Sequence, residues 1–217
     1  MTLLKYEHIE IKESGDPLVN LANYDFYLEP FYYNKGLSRD SRIYIRKTIA
    51  KKLQLIQEKL RNYRIKIWDG WRPREVQHNI YMYHWNKLNT RHPNWEEDRL
   101  KEEVGKFVTV ANDPNRIPIH ATGGSVDLTL VDSSGIELNM GTKFDHFGPE
   151  AASFFYETND IDEQVKSNRR ILREWMIAED FRFDNDEWWH FDYGNQLWAA
   201  ALNKPYAIYG KCVPPTK

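Results

Sequence analysis

His120-Ala-Thr-Gly123-Gly124-Ser-Val-Asp127-Leu-Thr-Leu-Val131, continued by Asp132-Ser-Ser-Gly135-Ile136-Glu-Leu-Asn-Met140, is the stretch on which the fold turns. From Val126 to Val131 apolar side chains alternate with the two-residue period of a β-strand. Asp132 to Gly135 reads as a turn, and Ile136 to Met140 as the returning strand of a hairpin. Val126, Leu128 and Leu130 share one strand face, so Asp127 and Thr129 point away from it. The two glycines before the strand permit a bend that folds His120 back beside Asp127.

Outward from this hairpin, helices dominate. Ser38 or Ser41 caps a helix to about Asn62, in which Ile45, Ile49, Leu53, Ile56 and Leu60 recur at three- and four-residue steps. Ile65 to Trp68 alternates like a strand and meets Asp69-Gly70-Trp71-Arg72-Pro73. There Gly70 suits a tight turn and Pro73 the first position of a helix to about Leu88, which puts Arg72 at a strand-to-helix corner. A shorter helix from about Glu96 to Phe107 follows, then a loop containing Asn112-Asp113-Pro114-Asn115 and Pro118. Ile161 to Ala178 is helical in pattern, and Trp188 to Tyr193 reads as a last strand. Helices segregated from a hairpin-rich sheet predict an α+β fold: one domain over residues 1–217, with a central, mostly antiparallel sheet flanked by helices. Residues 1–37, with Tyr24, Phe26, Tyr27, Phe31, Tyr32 and Tyr33, read as an irregular packed segment.

Composition narrows function. Thirty Lys and Arg against 32 Asp and Glu give no basic field, so nucleic acid is excluded as a partner. Cys212 is the only cysteine, which excludes an intrachain disulfide and every thiolate-rich zinc site. Any metal must therefore take His and carboxylate ligands. The amino terminus lacks the apolar run of a signal peptide, and no segment is apolar enough to span a membrane. The expectation is a cytoplasmic protein, or a periplasmic or secreted one if a leader has been removed. Oligomeric state is left open.

Two histidines have chemically suggestive neighbours. One is His120, brought beside Asp127. The other is His190 in Glu187-Trp188-Trp189-His190, where a carboxylate precedes an imidazole by three residues. Strict alternation would put Glu187 and His190 on opposite faces, so they can cooperate only if Glu187 lies in the turn before the strand or at a bulge. Jointly His120, Asp127 and His190 supply three N/O ligands with a fourth position open, the pattern of a catalytic zinc. Glu187 adds a base for water, and Arg72 a cation for an oxyanion, with Asp69 able to orient the guanidinium.

Four blocks, Trp68-Asp-Gly-Trp-Arg72-Pro, His120-x-x-Gly-x-Ser-x-Asp127-Leu-Thr-Leu, Met140-Gly-Thr-Lys-Phe-Asp145 and Glu187-Trp-Trp-His190, come in an order and spacing that resembles the VanX-type D-alanyl-D-alanine dipeptidases. These belong to the zinc D,D-peptidases with a hedgehog-like α+β fold. The resemblance implies one Zn2+ per chain on His120, Asp127 and His190, Glu187 as general base and then acid, and Arg72 polarising the scissile carbonyl. It implies a narrow pocket for a small dipeptide, with Arg72, Trp188 and Asp127 touching substrate and Asp69 and Asp145 in support. The chain departs from the pattern at Pro118, where the family has a serine, at Ser125, where it has alanine, and in the amino-terminal pocket segment, for which Glu29 to Gly36 is the nearest region and Tyr32 or Tyr33 the candidate tyrosine. The reading is a zinc metallopeptidase that hydrolyses D-Ala-D-Ala or a similar D,D-dipeptide, in peptidoglycan chemistry. The alternatives are a stem-peptide carboxypeptidase or endopeptidase, and a catalytically silent zinc-binding module.

Overall fold

The computed structural model describes residues 6–105 and 116–215. In chain order the elements are β1 (Leu18–Asn20), β2 (Tyr27–Leu28), the one-turn helix α1 (Phe31–Asn34), β3 (Tyr44–Arg46), α2 (Lys47–Lys59), β4 (Arg64–Asp69) and α3 (Arg74–Arg91). There follow α4 (Glu97–Gly105), β5 (Ser125–Val131), α5 (Phe155–Thr158), α6 (Glu163–Ala178), β6 (Arg182–Phe183), β7 (His190–Asp192) and α7 (Gln196–Ala201). Five strands form a sheet in the order β2-β4-β5-β7-β6, with β2–β4 parallel and the other pairings antiparallel. β1 and β3 make a separate antiparallel pair. The expected α+β class and mostly antiparallel sheet are therefore present.

β5 is the centre of this arrangement. All seven of its residues are buried, because its edges are paired with β4 and β7 and both of its faces are covered. Ile49, Leu53 and Ile56 of α2 join Ile65, Ile67, Leu128 and Leu130 of the strands in one continuous core, to which Leu172 and Met176 of α6 also belong.

Several boundaries differ from the sequence reading, each for a tertiary reason. Neither Ser38 nor Ser41 begins the first long helix, which starts at Lys47. Tyr44–Arg46 is drawn into pairing with β1, and the Arg46 amide donates to the Gly123 carbonyl, so tertiary pairing overrides helical periodicity. Ile45, first in that periodic series, is thus buried from a strand. The amino-terminal segment is not wholly irregular, since β1 and β2 lie within it. The returning strand at Ile136 to Met140 is reduced to one bridge, Val131 to Glu137. The chain is then captured by α6, as Asn168 donates to the Asn139 carbonyl and Arg169 to that of Met140. The last strand begins at His190, with Trp188 and Trp189 in the turn before it. The fourth helix is described to Gly105; its expected end at Phe107 and the Asn112–Asn115 loop lie outside the described residues.

Candidate metal centre and its cleft

Strand register assembles the site. Antiparallel pairing sets Asp127 opposite Asp69 of β4 on one side and opposite His190 of β7 on the other. A register shift between Ile67 and Asp69 ends β4 irregularly, and the following corner carries Arg72. A 3-10 turn, Ile119–Thr122, holds His120 just before β5, and Gly123 closes it in a left-handed conformation at φ 66°. Gly70 is required for a different reason, close approach: a Cβ there would lie 2.4 Å from the Tyr44 carbonyl oxygen.

His120, Asp127 and His190 are buried and offer ligand atoms within 4.8 Å of one another, the one such group among the described residues. Each imidazole has one nitrogen already committed. His120 Nδ1 donates to the Gly70 carbonyl at 2.8 Å, which leaves Nε2 facing Asp127 Oδ2 at 3.5 Å. His190 Nε2 donates to Asp192 Oδ1 at 3.1 Å and turns Nδ1 to Asp127 Oδ1 at 3.0 Å. This is the outer-shell orientation that metal-binding histidines require, and the donor set suits Zn2+.

Asp192 was not singled out from the sequence. It is fully buried; Oδ1 also accepts from Ser125 Oγ (2.7 Å) and Asn195 Nδ2 (2.7 Å), and Oδ2 from Arg182 (2.7 Å). Its spacing was a usable signal, because residues two apart on a strand share a face and Asp192 stands two after His190. Burial works against its charge, but His190, Arg182 and Ser125 hold the carboxyl far below the usual range. Reciprocally, burial of His190 is outweighed by Asp192 and Asp127, which raise its affinity for a proton. Burial, reinforced by the Arg72 charge, pushes His120 down to about 3, so that ring is neutral.

Arg72, also buried, is gripped along its whole fork. Nε donates to Asp69 Oδ2 at 2.8 Å, one terminal nitrogen to Gln77 Oε1 at 2.8 Å and the other to Asp127 Oδ2 at 3.3 Å. The Tyr32 ring lies 4.7 Å from the guanidinium carbon. The structure thus brings Asp69 to Arg72 as the sequence anticipated and adds Gln77, one turn into α3. Tyr32 lies in the cleft, whereas Tyr33 is 46% exposed outside it.

These groups line a cleft of about 510 Å³, whose walls include Tyr32, Arg72, Pro118, His120, Asp127, Asp145, Glu187, Trp189 and His190. Glu187 lies just before the Trp188-Trp189 turn, which solves the face problem posed by strand alternation. Its carboxylate has no hydrogen-bond partner among the described residues, and burial raises its pKa well above the carboxylate range. Trp188, expected to touch substrate, does not line the cleft: its Nε1 donates to Thr142 Oγ1 at 2.8 Å and its ring packs edge-on against Trp68 and Trp189. Trp189 forms the wall instead. Asp145 is held in a left-handed conformation, φ 62°, and accepts from the Tyr32 hydroxyl at 3.4 Å.

A family model described as D-ala-D-ala dipeptidase, of peptidase family M15, matches residues 33–211. The chain belongs to this family. Among curated D-alanyl-D-alanine dipeptidases, that of Synechocystis is 26% identical over 96% of this chain and 94% of its own length. The Escherichia coli enzyme is 26% identical over 66% of this chain and 61% of its own length, and that of Enterococcus faecium 28% identical over 65% and 66%. Among solved structures, a mutant of the vancomycin resistance D,D-pentapeptidase VanY with Zn(II) is similar at 17% identity and a TM-score of 0.48, covering 92% of this chain and 94% of its own. VanYB in complex with D-alanine-D-alanine follows at 17% and 0.43, covering 89% and 91%. Membership of the dipeptidase family accords with four sequence blocks that the fold converges on one cleft. Among the described residues no helix is long and apolar enough to cross a membrane.

Proposed function

We propose that this protein is a zinc-dependent dipeptidase that hydrolyses D-alanyl-D-alanine or a similarly small D,D-dipeptide. The observation that carries the reading is the convergence on one cleft of a His/Asp/His donor set, a half-buried carboxyl with no hydrogen-bond partner among the described residues, Glu187, and a fully gripped guanidinium, Arg72. A purely structural metal site needs neither of the last two.

His120 Nε2, His190 Nδ1 and Asp127 would hold the ion, with Gly70 and Asp192 fixing the rings from behind. Zinc, when bound, supplies Lewis acidity, which eases loss of a proton from water and polarises a carbonyl. Glu187 takes that proton and returns it to the leaving amine; burial raises its pKa above the usual carboxylate range, the direction that favours holding a proton between the two transfers. Arg72 faces negative charge developing on the carbonyl oxygen; because Asp69 and Gln77 fix its plane, it needs no reorganisation as charge appears. Of the cleft carboxylates, Asp127 is engaged by ligands and arginine and Glu187 by proton transfer. Asp145 is left to pair with the ammonium of a free dipeptide. Pro118 lines the cleft and offers neither hydroxyl nor N–H, so substrate recognition there rests on shape. Action in the cytoplasm on dipeptide from peptidoglycan chemistry belongs to the same proposal, and cell fractionation tests it.

The deciding experiment compares D-Ala-D-Ala with L-Ala-L-Ala and a stem pentapeptide, in wild type and Glu187→Ala. Wild type should cleave the D,D-dipeptide, lose activity on chelation and regain it with zinc. Glu187→Ala should keep about one zinc per chain and lose at least about 10²-fold in kcat, the usual worth of a general base. A zinc-loaded, fully active Glu187→Ala protein would refute the role, and preference for the pentapeptide would refute the dipeptide.

A further inference from the structure

We infer that His84 is a specificity-determining residue, which positions Asp145 for the amino terminus of the substrate; this rests on the dipeptidase reading above. His84 lies on α3 one turn beyond Ile80 and two turns beyond Gln77, two residues that line the cleft, and so continues their inward face. It is 3% exposed. An imidazole buried to that extent needs partners for its nitrogens. Nε2 has no aligned hydrogen bond among the described residues, yet it stands 3.3 Å from Asp145 Oδ2. The distance is within reach and the direction is off line, which describes a donor held ready rather than engaged.

His84 grips the Asp145 segment twice. Its ring stacks on Phe147, centroids 3.7 Å apart and planes 22° from parallel, while Nε2 faces the carboxylate two residues earlier. On the other side the Tyr32 hydroxyl reaches Asp145 Oδ1 at 3.4 Å. The carboxylate therefore sits between two loose donors, on a residue in the left-handed backbone conformation that aspartate adopts more readily than most side chains. An ammonium arriving from the cleft would meet an anion whose direction is set by His84 and Tyr32. A peptide blocked at its amino end brings no charge to that anion, so this arrangement selects for a free α-amine.

The test uses zinc-loaded full-length protein and two substrates, D-Ala-D-Ala and N-acetyl-D-Ala-D-Ala. His84→Phe keeps the stack on Phe147 and removes the donor; His84→Gln keeps a donor near the position of Nε2. His84→Phe should raise KM for D-Ala-D-Ala about tenfold, the scale of one hydrogen bond to a charged group, with kcat within about threefold and zinc content unchanged. Its kcat/KM for the acetylated peptide should not move, and His84→Gln should recover most of the loss. An unchanged KM in His84→Phe, an equal loss on both substrates, or a His84→Gln protein as impaired as His84→Phe overturns the assignment. Should His84→Phe fail to fold, the imidazole resonances of His84 in zinc-loaded Glu187→Ala protein serve: D-Ala-D-Ala should shift them, and no shift at saturation overturns the proposal. Wild type that cleaves no D,D-dipeptide removes the dipeptidase reading and this inference together, whereas cleavage with His84→Phe indistinguishable from wild type removes His84 alone.

Discussion

Replacing Asp192 with Asn probes how the interior prepares the metal centre without touching the metal. The carboxylate takes His190 Nε2, Ser125 Oγ and Asn195 Nδ2 on Oδ1, and Arg182 on Oδ2. An asparagine can keep its carbonyl toward the first three, but then presents N–H groups to Arg182, donor against donor. Breaking a buried ion pair costs about 3–5 kcal/mol. Arg182 retains Asp184 Oδ2 at 2.8 Å, so the lower figure applies. About 3 kcal/mol in a chain of this size lowers Tm by about 6–12 °C. Loss of the anion behind His190 should also weaken zinc about 10- to 100-fold, the usual effect of removing such an orienting partner. The native pKa of Asp192 is depressed below its unfolded value, so its stabilisation is fully present above that unfolded value, near 4. It is lost as pH falls through the native value. The stability gap between Asp192→Asn and wild type should therefore be fully open near pH 5, narrow as pH rises through the native value of His190, whose proton Asp192 helps to hold, and close in strong acid. Thermal unfolding of chelated protein across pH, with zinc titration against a competing chelator, measures both effects. Equal Tm and equal zinc affinity in the two proteins would falsify the orienting role.

Arg72→Lys keeps the charge but cannot span Asp69, Gln77 and Asp127 together. Its kcat should fall about 10²-fold with zinc content intact, as for loss of one oxyanion donor; steady-state kinetics within threefold of wild type would contradict that role. Gly70→Ala drives a Cβ against the Tyr44 carbonyl and must shift the Gly70 carbonyl that holds His120. It should cost about 1–3 kcal/mol in denaturant unfolding and weaken zinc binding. Burial lifts the Cys212 thiol to about 11, so alkylation should be slow at pH 8 and rise about tenfold per pH unit up to that value. A rate flat above pH 8, followed by mass spectrometry, would contradict the shift.

Legibility tracked the range of the interaction. Periodicity located β4, β5, α3 and α6, because apolar alternation and helical repeats are local consequences of which face is buried. It misplaced the start of α2, since Tyr44–Arg46 answers to β1 and to the Gly123 carbonyl, partners distant in sequence. The shortened hairpin had the same cause, in Asn168 and Arg169 of α6. Among site residues, His120, Asp127, His190, Glu187 and Arg72 were visible through residue type and spacing. Gln77 and His84 were not, because a polar residue on a helix face has no distinguishing local pattern until its partner is known; Asp192 had only its two-residue spacing from His190 as a signal. Trp188 and Trp189 cannot be told apart by composition; the turn alone sends one into the core and the other to the cleft.

By itself the sequence determined the chemistry on offer: one cysteine, hence histidine and carboxylate ligands, and an arginine and a glutamate set at turns beside them. Those follow from side-chain identity and from backbone rules that act over a few residues. Only the tertiary structure decided that Asp69, Asp127 and His190 stand in one row across three strands, and that Asp192 and Gly70 set the two imidazole rings. It alone set His84 behind Asp145. Strand register and burial are properties of the whole packed chain, and the candidate metal centre of residues 120, 127 and 190 comes together only once that packing has fixed them.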